Sequence, residues 1–175
     1  GAFMNETLGQ VKDLVRTKSK FWRETPEARR EALLPVFWGG GAKEGQLFGN
    51  VDAGSIAEGT NGLNFSYPGY SEILCGYVDP KVDSNNKIPN PNVTVLEWLH
   101  GKKAFKGKVA AFGAWDVFPS IFNARRCGFP VNAGYDPMPA KGLGNEVVLL
   151  NRLKSEMTRY WAGEPFDPLT YHTAM

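Results

Sequence analysis

Histidine and cysteine are scarce in this chain. Two of its 175 residues are histidines and two are cysteines. Cys75 and Cys127 lie far apart and form neither a Cys-x-x-Cys motif nor a cluster with histidine, so the sequence contains no zinc-site pattern. This usage favours two buried free thiols over a disulfide. A serine hydrolase triad is also disfavoured, because Gly-x-Ser-x-Gly is absent and His100 and His172 have no recognisable acid partner.

Strong charge and long apolar runs are lacking as well. The formal net charge is +2 and the basic residues are scattered, which argues against a nucleic-acid partner. No apolar stretch approaches the length of a membrane span, and no signal peptide is recognisable. The leading Gly1-Ala2-Phe3 does not resemble a natural start, so we expect the chain to begin inside a longer protein.

The composition is that of an ordinary globular chain. Hydrophobic residues make up 42% and charged residues 22%, and the length suits one domain with a substantial core. We therefore predict a single α/β domain over residues 1–175, as part of a larger catalytic domain.

Local patterns predict helices, strands and turns. Helices are expected from the amphipathic residues 8–15, after Thr25, after Thr94 and from Asn145 onwards. Strands are expected over residues 46–51 and 109–115, and the second is apolar throughout, as in a buried parallel strand. A helix after Asp116 would complete a right-handed α/β unit with a mainly parallel sheet. Irregular structure is predicted for the glycine- and proline-rich parts, residues 37–41, 77–92 and 128–144.

The stretch from Asn61 to Gly76 carries a serine at the start of a short helix. A loop rich in glycine and asparagine leads to Ser66, and Pro68 and Gly76 are helix start and stop signals, which predict a helix over residues 68–75. The N-terminus of a helix favours a bound anion such as phosphate or sulfate. A hydroxyl there is a candidate nucleophile, if its pKa is lowered. The simpler alternative is that Ser66 only caps the helix.

Asp116 is a second candidate for the same site. In open α/β sheets, ligands bind beyond the carboxyl ends of the strands. Trp115 and Asp116 follow the strand at residues 109–115, so we expect them at that edge together with the Ser66 loop. The alternative for Asp116 is a simple helix cap.

Other charged residues have weaker patterns. Asp79 and Asp83 have no histidine nearby and are interpreted as turn residues rather than metal ligands. Arg125 and Arg126 form a pair that fits an anion, although paired arginines are common on protein surfaces. His100 is interpreted as a partner of the dipole of its helix.

Residues 65–76, Phe-Ser-Tyr-Pro-Gly-Tyr-Ser-Glu-Ile-Leu-Cys-Gly, resemble the nucleophile segment of the alkaline phosphatase superfamily. Ser66 matches the nucleophile, Pro68 the proline and Gly76 the closing glycine of that segment. In the phosphodiesterase branch the segment runs Thr-Phe-Pro-Asn-His. Here Gly69 and Tyr70 replace the Asn-His, so the substrate contacts of that branch do not carry over.

The resemblance extends from about Phe21 to the end of the chain. Residues 79–99 in particular are similar to a bacterial subgroup described as alkaline-phosphatase-like or phosphoglyceromutase-like. The resemblance implies part of a three-layer fold with a mainly parallel sheet, incomplete at both ends. Relatives with these motifs are often exported, which implies a periplasmic or secreted protein.

The resemblance also implies a chemistry. Members of the superfamily are metal-dependent phosphatases, phosphotransferases or sulfatase-like hydrolases that act on small phosphate or sulfate esters through a covalent seryl intermediate. They hold two divalent metal ions, commonly zinc, and Ser66 matches both the nucleophile and a metal ligand. The other ligands of the family lie in an Asp-Gly turn before the nucleophile and in Asp-x-x-x-His and Asp-His-Gly segments beyond it.

These further ligand motifs are absent from the 175 residues. One interpretation is that the chain is an internal piece of a longer enzyme and lacks the flanking segments that complete the metal centre. The other is a non-catalytic α/β binding domain with a degenerate site. We favour the first, and we expect that this segment alone holds no metal and does not hydrolyse phosphate esters at an enzymatic rate.

Overall fold

A computed structural model of the chain describes residues 13–139, 144–159 and 161–175. The chain divides into two compact units, residues 1–58 and 59–175. The single α/β domain predicted for residues 1–175 stays a prediction. Ser66 lies in the second unit.

The first unit consists of short helices. Helix α1 (Leu14–Phe21) begins after Asp13, whose carboxylate accepts a hydrogen bond from the Arg16 N–H at 3.0 Å. Helix α2 (Pro26–Leu33) begins after Thr25, whose hydroxyl accepts from the Ala28 N–H. The start predicted at Thr25 is therefore confirmed. Of the helix predicted over residues 8–15, the part before residue 13 lies outside the described residues.

Two predictions in the first unit are wrong. The glycine-rich stretch expected to be a flexible turn forms a π-helix (Phe37–Gly41) that continues into α3 (Ala42–Glu44). The strand expected over residues 46–51 is not formed, and a 3₁₀-helix (Val51–Ala53) follows an irregular segment. Gly49 adopts a φ of 87°, which lies outside the β region and interrupts an extended run.

The second unit is a mixture of helices and a small sheet. Its helices are α4 (Ser66–Cys75), α5 (Val95–His100), α6 (Phe118–Ile121), α7 (Asn145–Glu156) and α8 (Asp167–Ala174). Strands β1 (Ala111–Gly113) and β2 (Val131–Ala133) pair in parallel, with Phe112 opposite Asn132. Because α6 lies between the two strands in sequence, they form a β-α-β unit. The structure is thus broadly α/β, as predicted, and the apolar strand predicted at residues 109–115 forms over its centre.

The core lies where α4 and α6 meet β1. One buried cluster contains Tyr67, Val82, Val117 and Ile121. A second contains Ala111, Phe122, Cys127 and Phe129. Leu74 of α4 and Phe118 of α6 pack against both clusters. The helix that carries Ser66 is therefore fixed to the same core as β1.

Gly113 lets α6 approach the end of β1. A Cβ atom at this position would overlap the Phe118 ring. We expect Gly113→Ala to lower the free energy of unfolding by about 2 kcal/mol, because the added methyl group displaces a packed ring. Urea unfolding measures the change.

Gly69→Ala is the matched control for this substitution. Gly69 lies inside α4, and a Cβ atom there would meet nothing within 4 Å. Alanine is favoured over glycine in a helix, so this variant should be neutral or more stable by up to about 1 kcal/mol. Equal effects of the two substitutions would show that Phe118 does not constrain Gly113.

Candidate functional site

Helix α4 places Ser66 as its first residue. The helix begins after Phe65 and ends at Gly76, which adopts the left-handed conformation with a φ of 81°. The predicted helix is confirmed, but it starts two residues earlier than the proline signal indicated. Ser66 is therefore inside the helix, and it does not act as the cap that the alternative interpretation required. Its side chain is exposed, and no described residue makes a hydrogen bond to its hydroxyl.

The N–H groups at this helix end are only partly available to a ligand. Pro68 has no N–H group, and the N–H of Tyr67 donates to Oδ1 of Asn85 at 2.9 Å. The N–H of Gly69 makes the first bond within the helix, to the carbonyl oxygen of Phe65. Among the described contacts, the N–H groups of Phe65 and Ser66 have no hydrogen-bond partner. They lie at a helix end that carries partial positive charge.

Ser66 opens onto a cleft of about 420 Å³ at the carboxyl end of β1. Gly113, Ala114 and Trp115 line the cleft directly after the strand. The predicted meeting of the Ser66 loop with this edge of the sheet is therefore confirmed. It follows from the packing of α4 and β1 on one core.

Aromatic rings form one wall of the cleft. Phe118 contacts Tyr70 with a distance of 5.0 Å between ring centroids, and it contacts Trp115 at 6.5 Å. Both pairs are edge-to-face, which is a favourable arrangement for aromatic rings. Tyr70 is one helical turn after Ser66, so the rings begin close to the serine.

Two carboxylates that the sequence analysis did not single out for the site also line the cleft. They are Glu164, which precedes α8, and Asp167, the first residue of α8. Helix α8 packs on β1, and it adds Thr170 to the same cleft. No lysine or arginine is among the described residues that line it. The cleft is therefore negatively charged apart from the helix end at Ser66.

Asp116 lies beside the cleft and not in its lining. Its carboxylate pairs with the Lys87 ammonium at 2.6 Å. Its N–H donates to the carbonyl oxygen of Gly163 at 3.0 Å, which brings the segment with Glu164 to the end of β1. The alternative of a helix cap is wrong, since α6 begins at Phe118 without a side-chain cap.

Glu72 folds the loop before Ser66 onto α4. Its carboxylate accepts four hydrogen bonds, from the N–H and hydroxyl of Thr60 and from the N–H and side-chain amide of Asn61. Asn61 in turn accepts from the N–H of Leu63 at 2.8 Å. The bonds from Thr60, followed by those from Asn61, lower the pKa of Glu72 to about 2. The carboxylate thereby fixes the approach of the chain to Ser66.

Acid is expected to weaken this loop. The pKa of Glu72 in the folded chain is depressed from its ordinary value of 4.5. Its contribution to stability is therefore complete above about pH 4.5 and is lost as the pH falls towards about 2. Glu72→Gln should remove this part of the pH dependence, as measured by thermal unfolding across that range. An equal acid response in the parent chain and in Glu72→Gln would contradict the assignment; the exposed Glu156→Gln is the matched control.

The other charged candidates have structural contacts. Asp79 accepts from the Lys81 N–H and from the side-chain amide of Asn92, which makes it a turn residue, as interpreted. Arg126 donates to both carboxylate oxygens of Glu97, each at 2.9 Å. It also donates to the backbone carbonyl oxygens of residues 90, 91 and 92. The donors of Arg126 are thus used within the chain.

The described residues do not provide the metal centre that the resemblance implies. They contain no group of three or more histidine, cysteine, aspartate or glutamate side chains placed to hold a metal ion. His100 lies in the last turn of α5, and His172 of α8 is not among the residues that line the Ser66 cleft. Glu164 and Asp167 supply carboxylate oxygens to the cleft that Ser66 also lines, but as a pair they do not make a two-metal site.

Cys75 and Cys127 are free thiols, as predicted, but only Cys127 is buried and Cys75 is half-buried. Cys75 lies near the Ser71 hydroxyl and the side-chain amide of Asn90. Burial raises the pKa of the Cys75 thiol. It is therefore held in its neutral form, in which it is a poor nucleophile.

No family model, curated protein or solved structure matches the chain. Within the described ranges, no helix is long and apolar enough to cross a membrane.

Proposed function

We propose that Ser66 is the nucleophile of a hydrolase or phosphotransferase that acts on phosphate or sulfate esters. One observation carries this proposal. The Ser66 hydroxyl is exposed in a cleft, has no described hydrogen-bond partner, and lies at a helix N-terminus beyond the carboxyl end of a parallel strand. Ligands in open α/β sheets collect at this edge, and helix N-termini favour anions.

The reaction consists of two displacements. The Ser66 oxygen attacks phosphorus or sulfur, the bond to the alcohol oxygen of the ester breaks, and the alcohol leaves with a proton. The hydroxyl proton of Ser66 passes to a carboxylate of the cleft, Glu164 or Asp167, and the resulting carboxyl group gives it to the departing alcohol oxygen. Water, or an acceptor alcohol in a transferase, then attacks the phosphorus or sulfur, and the bond to the Ser66 oxygen breaks. The proton of the attacking molecule passes through the same carboxylate to the Ser66 oxygen. The open N–H groups of Phe65 and Ser66 support the oxygens of the bound group.

We also propose that this chain belongs to the longer protein that the resemblance implies. In that longer protein, the chain forms part of an alkaline-phosphatase-like three-layer fold. Segments that flank the chain supply the other ligands for two divalent ions, and Ser66 is one ligand. A divalent ion lowers the pKa of a bound hydroxyl and stabilises the attacking and leaving oxygens. The described residues by themselves do not form that centre.

Trapping the covalent intermediate tests the proposal. The protein of the complete reading frame is incubated with a phosphate monoester and Zn²⁺, quenched in acid and mapped by mass spectrometry. We expect one phosphoryl group on the peptide that contains Ser66, and none in Ser66→Ala. The assignment would be overturned by a phosphoryl group on another residue. It would also be overturned if the unsubstituted protein hydrolysed the ester but carried no phosphoryl group.

A non-catalytic binding domain is the second candidate. The observation that favours it is the charge of the cleft, since Glu164 and Asp167 repel an anionic ester when no cation offsets them. Metal content of the complete protein separates the two candidates. We expect about two divalent ions per chain for the enzyme and none for the binding domain.

A further inference from the structure

We propose that the aromatic wall beside Ser66 binds an organic cation, so that the substrate is an ester whose alcohol portion carries a quaternary or protonated amine. The ester part of this statement rests on the proposed function. The binding of the cation does not, because it uses residues other than Ser66.

The aromatic wall is the primary observation. Phe118 contacts both Tyr70 and Trp115, and all three rings line the cleft. Tyr70 is 39% exposed, so part of a ring is open to a ligand even though Phe118 packs against the core. The negative face of an aromatic ring attracts an organic cation, and several rings around one pocket are the usual means of recognising a quaternary ammonium group.

The charge of the cleft agrees with this ligand. Glu164 and Asp167 line the same space as the rings, and the described lining includes no lysine or arginine. The nearby Asp116 is paired with Lys87 and does not lie in the lining. A cationic alcohol portion would be attracted by both carboxylates while it contacts the rings.

The spacing suits one molecule with two charges. Ser66 and Tyr70 are four residues apart on α4, which is about one helical turn of 5.4 Å. A short amino alcohol joined to a phosphate or sulfate group spans this length. The anionic end would lie at the open N–H groups near Ser66, and the ammonium group at the rings. A doubly negative ester without a cation would gain only the first of these contacts.

Choline and its neutral isostere 3,3-dimethylbutan-1-ol provide the test. Each is titrated into the chain at fixed ionic strength, and binding is followed by NMR. Because the two probes have the same shape, charge accounts for any difference, and we expect choline to bind at least about tenfold more tightly. Equal affinities, or no binding of choline, would overturn the proposal.

Variants locate the binding site. Trp115→Ala should weaken choline binding roughly three- to thirtyfold, whereas Trp98→Ala, at an exposed tryptophan outside the cleft, should leave it unchanged. Asp167→Asn and Glu164→Gln keep the side-chain volume and should each weaken binding about fivefold. The exposed Asp83→Asn is their control. If Trp115→Ala does not fold, Asp167→Asn and Glu164→Gln test the site instead. The proposal would be overturned if both variants bound choline with the affinity of the unsubstituted chain.

Ser66→Ala separates this inference from the proposed function. The variant should bind choline as the parent does. Loss of the phosphoryl adduct with choline binding retained supports both statements. Choline binding without an adduct in the parent supports the cation site alone, and an adduct without choline binding supports the nucleophile alone.

Discussion

Replacing Ser66 with alanine is expected to lower the rate of ester hydrolysis by the complete protein about a thousandfold or more. The substitution removes the oxygen that forms the covalent intermediate, so both displacements of the proposed reaction lose their common atom. The fold should be unaffected. Ser66 is exposed, no described residue bonds to its hydroxyl, and alanine is a good helix former.

Steady-state kinetics with a chromogenic phosphate ester measure this effect. Ser155→Ala is the matched control, since Ser155 is an exposed serine of α7 whose hydroxyl donates only to the Arg152 carbonyl oxygen. The control should keep the parent's kcat and KM. A kcat for Ser66→Ala within about threefold of that of the unsubstituted protein would rule out Ser66 as the nucleophile. No hydrolysis by the unsubstituted protein would favour the binding domain.

Local signals explain why the helices could be predicted. The cap at Thr25 and the cap at Thr94 each accept a bond from the N–H three residues later, as their sequence patterns indicated. Gly76 ends α4 in the left-handed conformation that only glycine adopts readily. These interactions join residues a few positions apart, so a short stretch of sequence contains all of the information.

Strand pairing could be predicted only in part. The apolar run that contains β1 was found because a buried parallel strand is apolar on both faces. Its partner β2 was missed, since Val131–Ala133 is three residues long and lies in a stretch rich in proline and glycine. A strand of that length has no visible periodicity. Its position is fixed by backbone bonds such as that from the Ala111 N–H to the Pro130 carbonyl oxygen.

The residues of the candidate site could likewise be predicted only in part from the sequence. Ser66 and the edge after β1 were brought together correctly, because the carboxyl ends of strands follow from topology. Glu164 and Asp167 were not assigned to the site, since only the packing of α8 on β1 places them there. Asn85 was missed for a related reason. Its contact with the Tyr67 N–H joins residues 18 positions apart in an irregular segment.

Asn90 shows how strongly this irregular segment is held. Its side chain is fully buried, although residues 77–92 were predicted to be surface structure. Its amide group donates to the Ser71 hydroxyl of α4 at 3.1 Å, and its Oδ1 accepts from the Asn92 N–H at 3.0 Å. Its backbone N–H donates to the Ser120 carbonyl oxygen at 2.9 Å. One residue thus joins α4, the segment and α6.

Replacing Asn90 with alanine is therefore expected to lower the free energy of unfolding by about 3 kcal/mol. The variant leaves the buried Ser71 hydroxyl and the Asn92 N–H without these partners and creates a small cavity. Urea unfolding measures the change, with the exposed Asn86→Ala as control. A loss below about 0.5 kcal/mol would show that water or rearrangement replaces these bonds.

The same substitution links stability to the site. The segment that Asn90 anchors also carries Asn85, which binds the Tyr67 N–H next to Ser66, and Lys87, which pairs with Asp116. If Asn90→Ala frees this segment, the Tyr67 N–H loses its partner before the whole chain unfolds. Hydrogen exchange at Tyr67 should then accelerate more than exchange within α7, which has no bond to the segment among the described contacts. Equal acceleration at both places would mean that Asn90 stabilises the second unit as a whole and does not act through the end of the Ser66 helix.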